Sequence, residues 1–169
     1  PVFNPRANTL STGGPLVLVV DNSWAAATDW KRRAETASAL IDDAESRDLP
    51  VSLVLTADRT HDAVPVDAVT ARNRLAAAGP RPLPAERDAA VAALRTALGG
   101  TAPGTLAFIT DGMARGGADD TVAALKALLP AEFRLIAGEG APAVAVTAAI
   151  NGADALSVTL TRLDGGPAR

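Results

Sequence analysis

Asp21, Ser23 and Asp111 are the side chains of this sequence best suited to chemistry. Asp21 follows the apolar run Leu16-Val17-Leu18-Val19-Val20, and Asp111 follows Thr105-Leu106-Ala107-Phe108-Ile109-Thr110, so each acid stands where a strand would end. Two carboxylates and a hydroxyl, with water completing the shell, suit a hard divalent ion such as Mg²⁺ or Mn²⁺. The same acids could instead cap loops and accept backbone N–H groups. Other chemistries have less to stand on. His61 is the single histidine and lies in a polar loop. With no G-x-S-x-G elbow and no paired nucleophile, a structural or solvent-facing imidazole is expected. Asp21 as a nucleophile toward phosphorus would want a second acid at position 23 and a lysine at a later strand end. Position 23 is serine, and Lys31 and Lys126 fall on predicted helices. No glycine follows Val20, so neither a dinucleotide fingerprint nor a P-loop can be drawn there. Gly116-Gly117 precede a helix, but Asp119 and Asp120 would repel an anion at its start.

The elements that must position these residues follow from the apolar pattern. Leu16 to Val20 is uninterrupted and rich in β-branched residues, which suits a central strand buried on both faces. Thr28 or Asp29 to Ser46 repeats Trp30, Ala34, Ala37, Ile41 and Ala44 at helical spacing. Residues 51–56 form a second strand, 63–66 a possible short edge strand, and Asp67 caps a helix that runs to Gly79-Pro80. After Pro82 and Pro84, residues 86–98 form a third helix, with Val91, Leu94 and Leu98 on one side. Strand 105–110, helix 118–129 and strand 133–137 complete the alternation, and β-like runs at 144–148 and 156–163 follow without an intervening helix. This order predicts an α/β fold, a three-layer α-β-α doubly wound, Rossmann-like sheet with extra β segments at the C-terminus. The organisation expected is a lead-in over 1–15, one α/β domain over 16–140, and a β-rich extension or the start of a following domain over 141–169. In such a sheet strands 16–20 and 105–110 are neighbours across the switch point, where open α/β sheets place ligands, and Asp21 and Asp111 share one rim.

Composition narrows the partners. The 169 residues suit one domain. They are 48% hydrophobic but only 3% aromatic, which calls for a core of Ala, Val and Leu with close backbone approach. With 16 basic and 19 acidic residues and no basic stripe, nucleic acid is not an expected partner. There is no cysteine, which excludes disulfides and thiolate chemistry. No apolar run approaches the roughly 20 residues that span a bilayer, so this segment is not expected to insert into a membrane. The chain opens Pro1-Val2-Phe3 without methionine and is read as part of a longer protein. Trp24 and Trp30 are expected to pack against the rim or the first helix, whereas an exposed Trp24 beside Asp21 would mark a recognition surface.

Asp21-Asn22-Ser23-Trp24-Ala25 together with Phe108-Ile109-Thr110-Asp111-Gly112 resembles a von Willebrand factor type A domain. That family carries a D-x-S-x-S loop after its first strand, a second acid in a T-D-G sequence after a later strand, and a threonine from an intervening loop. Together these form a metal-ion-dependent adhesion site that a partner's acidic group often completes. Asp21, Ser23 and Asp111 match; Ala25 replaces the second serine, and Gly79-Pro80-Arg81-Pro82-Leu83-Pro84 lacks the threonine. More narrowly, Leu16 to Trp30, Pro50 to Ala57 and Pro82 to Leu94 look like the A-type domain of large bacterial membrane proteins with a BatA-type, aerotolerance-related amino-terminal region and a DUF4159 domain. The resemblance implies a non-enzymatic protein-interaction module with a degenerate metal site. It implies no cofactor beyond weak Mg²⁺ or Mn²⁺ binding, and a protein partner at the strand-end rim. The parent protein would be anchored in the cell membrane with this domain on the periplasmic side. The competing expectations are a small Mg²⁺- or Mn²⁺-assisted hydrolase using the rim carboxylates and a purely structural spacer.

Overall fold

The computed structural model describes residues 9–110, 118–137, 144–152 and 155–162. Four strands, β1 (Leu16–Val20), β2 (Val51–Leu55), β3 (Thr105–Thr110) and β4 (Glu132–Ala137), form one open sheet in the order β2-β1-β3-β4. All three pairings are parallel, and β1 pairs with both β2 and β3. Four helices accompany the sheet: α1 (Trp30–Ser46), α2 (Ala68–Ala77), α3 (Arg87–Leu98) and α4 (Ala118–Lys126). The chain is therefore an α/β protein with a Rossmann-like sheet, and the expected β1–β3 adjacency across the switch point is present. Among the described residues, no helix is long and apolar enough to cross a membrane.

Every residue of β1 is buried, and its alternate side chains enter two separate cores. Leu16, Leu18 and Val20 pack with Ala37, Ile41 and Ala44 of α1 and with Ala68, Ala71 and Leu75 of α2. Val17 and Val19 pack with Phe108 and Phe133 and with Val91, Leu94 and Leu98 of α3 and Leu125 of α4. A strand with apolar partners on both sides has no use for polar alternation, which is why its sequence shows none. The alanines facing the sheet let the helices approach it closely, making up for the scarcity of aromatic side chains.

Helix ends follow local chemistry. Asp67 caps α2 by accepting the Thr70 N–H at 2.8 Å and the Thr70 hydroxyl at 2.8 Å, as its position predicts. Gly99, at φ 55°, ends α3 in the left-handed conformation that glycine adopts without penalty. α4 stops at Lys126, short of the predicted 129, and Leu129 turns out at φ 57° ahead of Pro130, which disfavours a helical predecessor. The expected edge strand at 63–66 is a single antiparallel bridge between Val66 and Val51. The C-terminal β segments are strands β5 (Val144–Gly152) and β6 (Ala155–Arg162), paired antiparallel with a register shift between Val146 and Ala148.

At the amino end of β1, Leu10 is buried in the first core and the Ser11 N–H donates to the Thr105 hydroxyl at 2.9 Å. Gly14 and Gly104 meet there, backbone against backbone. A Cβ on Gly14 would lie 2.3 Å from the Ala102 carbonyl oxygen, and one on Gly104 would lie 2.7 Å from that of Gly14.

Candidate functional site

The carboxyl end of β1 is built from charged and polar side chains brought in by several elements. The Asp21 N–H donates to the Ile109 carbonyl at 2.9 Å, extending the β1–β3 ladder one step past the strand. This turns the Asp21 side chain into the rim, where the residue is fully buried. Oδ1 accepts the Thr56 hydroxyl at 2.8 Å and Arg87 Nε at 3.3 Å, and Oδ2 accepts Arg87 Nη2 at 2.6 Å. Thr56 follows β2, and its own N–H donates to the Val20 carbonyl at 3.1 Å. Arg87 Nη2 also donates to the Thr110 hydroxyl at 3.3 Å, and the guanidinium lies 5.5 Å from the centre of the Phe108 ring. One arginine thus joins the tips of β1 and β3. The Glu86 N–H, bonded to the Thr56 carbonyl at 2.7 Å, fixes the start of α3 over β2. Charge-assisted pairs of this geometry are the stronger kind of hydrogen bond.

A second arginine arrives from α1. Arg33 Nη1 donates to the Asp21 carbonyl oxygen at 3.3 Å and Nη2 to Asp29 at 2.8 Å, while its buried Nε has no hydrogen-bond partner. Asn22, also fully buried, knits three loops together. Its Oδ1 accepts the Ala57 N–H at 2.8 Å, its Nδ2 donates to Asp58 at 3.0 Å and to the Gly79 carbonyl at 3.2 Å, and its carbonyl accepts the Arg81 N–H at 2.7 Å. Arg81 in turn pairs with Asp58 at 3.1 Å.

Of the expected ligand residues, Asp21 stands at the tip of the central strand beside β3, as the sequence predicts. Ser23 is two residues on, buried, and begins a 3₁₀ segment, Trp24–Asp29, with its carbonyl accepting the Ala26 N–H at 2.9 Å. Ala25 lies inside that segment. Asp111 lies outside the described residues, as do Gly116 and Gly117. His61 is half-buried with Nε2 3.4 Å from the Thr56 carbonyl oxygen.

Trp24 departs from expectation. Trp30 packs on the first core, but Trp24 is 59% exposed, because the 3₁₀ segment buries Ala26 and turns the indole outward. The Trp24 N–H donates to the Leu83 carbonyl at 3.3 Å. Leu83 lines a cleft of about 500 Å³ together with Pro82, Arg81, Asp58, Arg59 and Thr60. The rim therefore presents a tryptophan beside a cleft with cationic and apolar walls.

Sequence reasoning placed Asn22 at the strand tip without a role and missed Arg87, Thr56 and Arg33. Arg87 carries a legible signal: it is the first residue of α3, where the helix dipole favours acids. A cation there indicates a carboxylate close by. Arg33 has no comparable signal, since an arginine in a charged first turn reads as solvated. No family model matches this chain, and no curated protein matches it either.

Proposed function

We propose that this chain is a non-enzymatic, von Willebrand factor type A-like interaction module, a three-layer α-β-α domain with a degenerate metal-ion-dependent adhesion site. Its parent is a larger bacterial protein anchored in the cell membrane, with the domain on the periplasmic side. The observation that carries this reading is Trp24, 59% exposed on the rim that also holds Asp21. Tryptophan is enriched among the residues that dominate binding energy at protein interfaces. A spacer would have no reason to present an indole next to a cleft at its ligand-binding end. A hydrolase is not favoured either, since His61 faces a backbone carbonyl and Asp21 is engaged by Arg87 and Thr56.

Photo-cross-linking tests the proposal. A photoreactive residue replaces Trp24 or, as a control, Leu129, which is 68% exposed on the loop between α4 and β4. Each variant is irradiated with membranes of the source bacterium. Discrete protein adducts from position 24 and none from position 129 are expected. Adducts that are equal at the two positions, or absent from both, would refute an interaction site at the rim.

A further inference from the structure

We infer that Arg87 is the resident cation of Asp21 at the strand-tip rim: its guanidinium takes the electrostatic role that a divalent ion would have beside this carboxylate. The resemblance implies Mg²⁺ or Mn²⁺ at this tip, and the residues present do not fit one. Both oxygens of Asp21 are already engaged, Oδ2 by Nη2 of Arg87 at 2.6 Å and Oδ1 by the Thr56 hydroxyl at 2.8 Å. A hard dication needs carboxylate oxygens at about 2.0–2.2 Å in a near-octahedral shell, and here it would be held against a guanidinium already touching the same carboxylate.

Charge leads to the same conclusion. Asp21 is fully buried and the Arg87 side chain is 14% exposed, so water screens the attraction between them poorly. A dication on Asp21 would stand against the Arg87 guanidinium and the N-terminus of α3, where the partial charge is also positive. Arg87 is meanwhile well held. It sits on the Phe108 ring, donates to Thr110, and issues from the first residue of a helix anchored through Glu86 to Thr56. A guanidinium placed in this way has two N–H groups on the carboxylate, a fork that a point charge such as lysine lacks. The inference stands on this geometry and does not depend on the rim being an interaction surface.

The test combines metal titration with a double-mutant cycle on the full chain. Mn²⁺ is titrated while its electron paramagnetic resonance signal is followed, and thermal unfolding is recorded in EDTA and in millimolar Mg²⁺ or Mn²⁺. For the wild type, no Mn²⁺ binding that depends on Asp21 and an unchanged midpoint are expected. Arg87→Met should lower the midpoint by roughly 10 °C, because it leaves a buried carboxylate without its cation. The Arg87→Met/Asp21→Asn double variant should recover most of that loss. Arg87→Lys should fall between wild type and Arg87→Met. Mn²⁺ binding to the wild type that Asp21→Asn abolishes would overturn the inference, and so would additive effects in the cycle. Should Arg87→Met fail to fold, the wild-type titration against Asp21→Asn decides alone.

Discussion

At its amino end β1 is closed largely by backbone packed on backbone, with the Glu132–Arg134 ion pair at the neighbouring strand ends, whereas its own carboxyl end is closed by buried charge. Below the strand, Gly14 and Gly104 leave no room for a Cβ, and the Gly104 N–H reaches the Pro15 carbonyl at 3.0 Å. Above it, Asp21, Asn22, Arg33 and Arg87 fill the space with side chains that need partners. Backbone closure is chemically inert. Buried charge is costly to maintain for stability alone, since apolar replacements of similar volume are often neutral or better. The contrast sets the carboxyl end apart as the place where buried charged and polar side chains converge.

The sharpest way to break this contrast is to remove one charge. Arg87→Met should destabilise the fold by about 3–5 kcal/mol in urea unfolding, because the buried Asp21 carboxylate loses its Arg87 ion pair. If the variant loses less than 1 kcal/mol, the ion pair is not what closes this end. At the other end, Gly14→Ala should lose about 3 kcal/mol, the upper part of the range for forced overpacking, since the added carbon would meet backbone that cannot rotate away. Thr56→Val removes one hydroxyl from the Asp21 carboxylate while keeping shape, and a loss of about 1.5–2 kcal/mol is expected from a hydrogen bond to a charged group. Trp24→Ser should change stability by no more than about 0.5 kcal/mol, as a surface substitution. A clear loss of stability would mean that the indole serves the fold and not a partner.

A further effect is set by pH at Asp67. The Thr70 N–H and hydroxyl hold this carboxyl below its usual value of 3.8. The stabilisation is therefore fully present above the unfolded value and is lost as pH falls through the lower folded value. Melting curves of wild type and Asp67→Ala should differ at pH 6 and converge near pH 2. Persistence of the difference at pH 2 would show that the cap does not depend on the charge.

The sheet was legible because β1 is apolar throughout, β3 is apolar between its two terminal threonines, and both run into an acid. The hydrophobic period, with cap and stop residues such as Asp67 and Gly79-Pro80, placed the helices to within a few residues. Asp21 was legible as a site residue for the same reason: a carboxylate that interrupts a buried strand must be satisfied by something. What satisfies it was hidden. Arg87 is 66 positions away, and nothing local records that α3 begins directly over the β1 tip. Trp24 misled because indoles are normally packed, and its direction depends on the 3₁₀ segment, whose sequence Trp24-Ala25-Ala26-Ala27-Thr28-Asp29 has no periodic signal. The glycine contact was equally silent, since Gly13-Gly14 reads as an ordinary turn.

That glycine contact also bears on how the chain reaches its native state. The Ser11–Thr105 hydrogen bond beside it joins residues 94 positions apart, and all pairings of the main sheet are parallel, so no hairpin can zip this architecture from one end. Chains dominated by such distant pairings fold slowly, because a long loop must close before any contact rewards it. Within the main sheet, the stretches from β3 to β4 (105–137) and from β1 to β2 (16–55) are the shortest able to form paired units early. The seam where Gly14 meets Gly104 would then be the late step, setting the time the unpaired edge of β1 stays open to other chains.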